Sequence, residues 1–196
     1  RSASHSRPIA RMPLPIAILI LIAGAWLPAA LSRVFRIDPA YTTAAMVGLA
    51  LAIVLAQAGP VLEGGTLVQT WLWMPALGFN ASFRLDGFGL LFALLILVIG
   101  LLVVLYARYY LGPADSQERF FGLLLLFMGA MLGIVLAENL LLLVTFWELT
   151  SLSSFLLIGF WRNEPAARRG ARLALMVTGA GGLALLAGVL LLGHVV

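Results

Sequence analysis

The 196-residue chain predicts an all-α fold, a polytopic membrane helix bundle of about six transmembrane helices, and three observations carry that expectation. Hydrophobic residues make up 63% of the chain and charged residues 10%, against roughly half and a quarter in a soluble domain. The mean hydropathy is +1.09. Apolar runs of membrane length recur from end to end, separated by short segments that hold most of the charges. Each crossing of a hydrocarbon core takes about 20 mostly apolar residues, so six crossings and their connections leave no room for a separate soluble domain.

Residues 1–12 read as a polar N-terminal tail and residues 13–196 as the bundle, with helices near 13–31, 41–62, 86–110, 120–137, 140–161 and 170–192. Arg1, Arg7 and Arg11 ahead of the apolar run from Leu14 resemble a signal-peptide n-region. No small-residue cleavage site follows, so that run is expected to be a retained first helix. The absence of an initial Met and the close on Val195-Val196, straight after an apolar run, suggest cuts in a longer chain. Arg33, Arg36 and Asp38 form the first connection, and Pro39 suits the start of the second helix.

The stretch 63–85, with Gly64-Gly65, Pro75, Gly78 and Asn80, reads as an irregular or extended loop on the membrane face, anchored by Trp71 and Trp73. Tyr106, Tyr109 and Tyr110 mark the interface beside Arg108 at the end of the third helix, and Gly112-Pro113 stops it. Only Glu138-Asn139 separates the fourth helix from the fifth, which makes those two an antiparallel hairpin. The sixth follows Arg162-Asn163-Glu164-Pro165. Gly129 and Gly133 form a GxxxG pair and Thr178 to Gly182 a run of small residues; both patterns let helix backbones approach closely within a membrane.

The net charge of +4 rests on twelve arginines and no lysine, scattered among the connections. Nucleic-acid binding needs basic residues gathered on one face, and that class is set aside. Connections after the first, third and fifth helices hold eight arginines (33, 36, 108, 119, 162, 168, 169 and 172), and the other side holds four (1, 7, 11 and 84). By the positive-inside rule both ends of this chain face the outer side. With no Cys, thiolate metal sites, disulfides and cysteine nucleophiles are excluded, and neither a metal nor a cofactor is expected.

Of eight acidic residues, seven fall in connections or at helix ends and only Glu148 lies deep in a span. An ionised carboxylate at mid-bilayer costs at least about 2.5–3.5 kcal/mol. Burial therefore works against the charged form, the condition under which a carboxylate can take up and release a proton near neutral pH. Thr145 and Ser151, three residues before and after it, share its helix face and are positioned to bond it or hold a water. The plainer alternative is a protonated glutamate that bonds a neighbouring helix as packing glue. His5 in the tail and His194 near the end of the sixth helix are weaker relay candidates, and a helix-end interface suits His194 better.

The run from Leu140 through Thr145-Phe146-Trp147-Glu148-Leu149-Thr150-Ser151-Leu152-Ser153-Ser154 to Trp161 resembles the fifth helix of the A-type subunit of Mrp-type multisubunit Na⁺/H⁺ antiporters. That A-type protein is in turn similar to the antiporter-like subunits of respiratory complex I. The likeness extends to Arg84-Leu85-Asp86-Gly87-Phe88-Gly89-Leu90-Leu91-Phe92 and to the stretch from Arg119-Phe120-Phe121 through Ala137-Glu138-Asn139, and it covers nearly everything after Leu67. It implies that Glu148 is a proton-path residue paired with a lysine on a broken seventh helix outside this chain. The implied function is cation/proton exchange by a multisubunit assembly in a bacterial inner membrane, with H⁺ and Na⁺ or another monovalent cation moved. Its partners would be the lipid bilayer, other antiporter subunits and the C-terminal part of the same subunit. The alternative is a proton-pumping membrane subunit of an NADH:quinone oxidoreductase or a membrane-bound hydrogenase, and a third reading is an assembly subunit with no path of its own.

Overall fold

The structure, a computed structural model, describes residues 14–74, 79–112 and 115–195. The tail 1–12 with His5, the segment containing Pro75 and Gly78, and Pro113 lie outside the described residues. The helical bundle is as expected, with two of its predicted helices broken. The span predicted at 13–31 is a pair, α1 (Leu14–Gly24) and α2 (Leu27–Phe35), bent by 53°. The span predicted at 41–62 is α3 (Pro39–Ala56) followed by the short α4 (Ala58–Leu62).

One cause explains both breaks. Pro28 stands four residues after Gly24 and Pro60 four residues after Ala56, so each long helix ends at the residue whose carbonyl the proline cannot serve. A proline lacks the N–H that would reach that carbonyl, and its ring crowds it. Where α1 breaks, the carbonyl of Ala25 approaches Gly122 so closely that a Cβ there would lie 2.5 Å from it.

The stretch 63–85 is not an irregular loop. It contains an antiparallel hairpin, β1 (Leu67–Met74) with β2 (Phe79–Leu85), in which Leu67 faces Leu85 and Trp71 faces Ala81. In β2 the apolar residues Phe79, Ala81, Phe83 and Leu85 alternate with the polar Asn80, Ser82 and Arg84, the period of a strand with one buried face. Phe83 and Leu85 are buried. The hairpin seals one end of the bundle through main-chain and amide contacts. Glu138 N donates to Ser82 O at 3.0 Å; Gln69 Oε1 accepts from Leu14 N at 2.6 Å; Gln69 Nε2 donates to Gln57 Oε1 at 3.3 Å. Helix-end groups that would otherwise be unpaired thus find partners away from lipid.

The remaining helices are α5 (Gly87–Tyr110), α6 (Gln117–Leu136), α7 (Leu140–Ile158) and α8 (Pro165–Val195), the last beginning five residues before the predicted 170. Among the described residues, these four and α3 are the five helices long and apolar enough to cross a membrane, or six crossings if the bent α1–α2 pair counts as one. Asp86 caps α5 by accepting from Gly89 N at 2.8 Å, and Asp38 caps α3 by accepting from Ala40 N at 2.9 Å. At the opposite end of α5, Arg108 meets Asp38 at 3.1 Å and lies 4.2 Å over the Tyr41 ring, which ties α5 to the start of α3.

Helix α6 is the centre of the bundle. Phe121, Leu125, Leu132 and Leu136 are fully buried, and α1, α3, α5 and α7 pack around it. Helix α8 is outermost and packs on α7; 11% of its apolar window is buried, against 50% for α6.

Candidate functional site

The rotation of α7 about its own axis determines which side chains reach α6 and which reach α8. Asn139 caps the helix by accepting from Leu141 N at 2.8 Å, directly after α6 has ended. Seven residues on, the Phe146 ring lies flat on Gly133 of α6, in the space a Cβ would take. The same ring neighbours Phe83 of the hairpin, with ring centroids 6.4 Å apart and planes tilted by 57°. Gly129, one turn earlier on α6, receives Leu21 and Ile22 of α1. The GxxxG pair therefore serves two neighbours. Replacing Gly133 with Ala drives a methyl into the base of the Phe146 ring, where the nearest atoms include Cγ and little adjustment is free. The expected result is a loss of about 1–3 kcal/mol, seen as a lowered unfolding midpoint of the detergent-solubilised protein.

With Phe146 turned to α6, a residue two positions later projects about 200° further round the helix. That residue is Glu148, and it faces α8. Its Oε1 is buried and has no hydrogen-bond partner among the described residues. The carboxylate rests on Gly182 of α8, so closely that a Cβ at Gly182 would clash with Oε1, while Trp147 borders the same glycine. An unpaired buried carboxylate oxygen is among the most expensive features a fold can carry. Its position between two membrane-length helices is the outstanding chemical feature of the chain.

The two supporting hydroxyls do not join it. Thr145 Oγ1 donates to Leu141 O at 2.8 Å and Ser151 Oγ to Trp147 O at 3.2 Å. Thr150 and Ser153 do the same, to Trp147 O at 2.7 Å and Leu149 O at 2.7 Å. In an apolar span the carbonyl one turn back is the nearest acceptor, and hydroxyls take it. Sharing a helix face with Glu148 does not bring these groups to its carboxylate. Conversely, the sequence does not single out Gly182 as a site residue, because its role exists only once α7 and α8 are packed. In sequence it is one small residue in a run where neither Gly179 nor Gly181 has any neighbour within 4 Å of a Cβ position. His194 falls in the last turn of α8.

Membrane-length helices around a buried α6, with one carboxylate in mid-span between α7 and α8, define a multi-pass membrane protein with an ionisable interior. Two family models match the chain: the N-terminus of complex I NADH–ubiquinone oxidoreductase chain 5 over residues 71–121, and the transmembrane region of NADH:quinone oxidoreductase/Mrp antiporter over residues 137–195. The chain belongs to this NADH:quinone oxidoreductase/Mrp antiporter family of membrane subunits, and within the family it is similar to the A-type members.

Among curated relatives, a probable K⁺/H⁺ antiporter A/B subunit of Rhizobium meliloti is 54% identical over 136 residues, 69% of this chain and 14% of the relative. A Na⁺/H⁺ antiporter A1 subunit of Staphylococcus aureus is 53% identical over 131 residues, 67% of this chain and 16% of the relative. The chain thus spans about a seventh of the length of these relatives. The Mrp complex of Dietzia sp. DQ12-45-1b superposes with a TM-score of 0.76 at 35% identity, over 89% of this chain and 18% of that one. An archaeal membrane-bound sulfane sulfur reductase shares the fold, with a TM-score of 0.69 at 21% identity over 89% of this chain and 26% of that one. Glu148 and Gly182 both lie within the segment matched at 137–195.

Proposed function

We propose that the chain is part of the A-type subunit of a multisubunit antiporter that exchanges a monovalent cation for protons across a bacterial plasma membrane, with Glu148 on the proton path. The observation that carries this reading is the unpartnered Glu148 oxygen between α7 and α8. A carboxylate there gains from a proton when neutral and from a nearby cation when charged, and alternation between those two partners is what coupled exchange requires. The cation partner is a basic side chain elsewhere in the full-length subunit. The bilayer and the other antiporter subunits complete the assembly; its ends and its hairpin face the outer side by the arginine bias.

Relatives named for K⁺ and for Na⁺ are similarly close, so the exchanged ion is a monovalent cation of either kind. Vesicles containing the full complex are expected to show cation-dependent collapse of an imposed pH gradient, and comparison of Na⁺ with K⁺ identifies the ion. The family description also includes redox-driven subunits. Their proton pumping would use the same glutamate with electron transfer as the driving force. Absorbance of the purified native complex decides between the two: the antiporter shows neither flavin nor iron–sulfur bands, whereas bands that bleach with NADH would replace this reading with the redox one.

A further inference from the structure

The end of the bundle opposite the hairpin carries a second feature, independent of Glu148. A cleft of about 560 Å³ opens between α6, α7 and α8, and four arginines line it: Arg119 from the first turn of α6, Arg162 from the α7–α8 connection, and Arg168 and Arg172 from the start of α8. No carboxylate forms an ion pair with any of them among the described residues, where the ion pairs are Arg84–Asp86 and Arg108–Asp38. Asp115 stands in the adjoining hollow with Arg119 and Arg162. Its oxygens are already engaged, one by Gly112 N at 2.9 Å and the other by Trp161 Nε1 at 3.0 Å.

Arginines at the start of α8 also oppose the positive end of that helix. Within the chain their partners are weak, with Arg119 5.8 Å over the Phe160 ring and Arg172 Nε donating to Arg168 O at 3.3 Å, so most of the gathered charge is left uncompensated. An anion compensates it, because several guanidinium groups around one phosphate supply charge-assisted hydrogen bonds. The other walls of the cleft are apolar: Phe155 and Leu156 of α7 and Ala171 of α8. A free phosphate has no use for such walls; an acyl chain does. Trp161, half exposed in the α7–α8 connection, has the amphipathic ring that belongs at headgroup depth. The cleft also lies on the arginine-rich side, which the positive-inside rule makes cytoplasmic, where anionic lipids attract basic pockets between helices.

We propose that this cleft binds an anionic phospholipid, the arginines holding its phosphate and Phe155 and Leu156 the first part of an acyl chain. The test uses the complete complex in phosphatidylcholine nanodiscs containing a trace of phosphatidylglycerol with a diazirine in its acyl chain. After illumination, label is expected on the peptides that carry Phe155 and Ala171, roughly tenfold above that from the matching phosphatidylcholine probe. Unlabelled phosphatidylglycerol should compete and inorganic phosphate should not. Changing Arg162, Arg168 and Arg172 together to Gln should lower labelling at this place by about tenfold and leave label elsewhere unchanged. Equal labelling by the two probes, full competition by inorganic phosphate, or a cross-link to another protein segment in place of lipid would each overturn the proposal. If the triple variant fails to assemble, the wild-type competition and Arg168→Gln alone still decide.

Discussion

Glu148→Gln in the full-length subunit is expected to abolish cation/proton exchange, with at least roughly a hundredfold loss of rate, while the complex assembles in normal amounts. Gln has nearly the shape of Glu, so the contact with Gly182 and the packing of α7 on α8 survive. What disappears is the ionisable group. A neutral amide cannot hold and release a proton, and it draws no cation toward the α7–α8 seam. Removing a buried charge also relieves part of the desolvation cost, so the variant should be no less stable than the parent. Exchange is read as cation-induced recovery of a pH-probe signal in inverted vesicles, normalised to the quantity of the protein present. Glu148→Asp keeps the acid but withdraws it from Gly182 by one methylene, and an intermediate rate is expected. Wild-type exchange in the Gln variant would remove Glu148 from the proton path.

Much of the architecture was legible in the sequence because lipid imposes length and polarity rules on every span. The third, fourth and fifth helices, read from apolar runs near 86–110, 120–137 and 140–161, correspond to α5 (Gly87–Tyr110), α6 (Gln117–Leu136) and α7 (Leu140–Ile158). The breaks after Gly24 and Ala56 were also available, since Pro28 and Pro60 each forbid one particular helical hydrogen bond. They were obscured by apolar runs that continue unbroken across them. The hairpin is hidden for a different reason. Trp71 and Trp73 read as interface markers, while the alternation from Phe79 to Leu85 is short and its partner strand alternates poorly. Glu148 was visible because a mid-span carboxylate is rare. The failure of Thr145 and Ser151 to reach it was not, because the choice between a side chain and the carbonyl one turn back is made by local geometry. The place of Gly182 depends wholly on how α8 docks.

That dependence makes Gly182→Ala the sharper test of the site. A methyl at Gly182 would clash with Glu148 Oε1, yet the atom in its way is the far end of a flexible side chain. The carboxylate can swing aside while both backbones stay where they are. Little stability should be lost, since α8 carries most of its apolar surface outside this contact. Exchange, by contrast, should fall by roughly tenfold or more, because a proton-carrying group displaced by about 1 Å no longer meets its partners in line. A purely structural glycine predicts the reverse pattern, a lowered unfolding midpoint with exchange per folded complex unchanged. The double variant Gly182→Ala with Glu148→Asp separates the two further. The shorter acid makes room for the methyl, so the pair should lose much less activity than the two single losses combined, a coupling expected only of groups in contact. Additive losses would mean that the carboxylate does not use the space Gly182 leaves open.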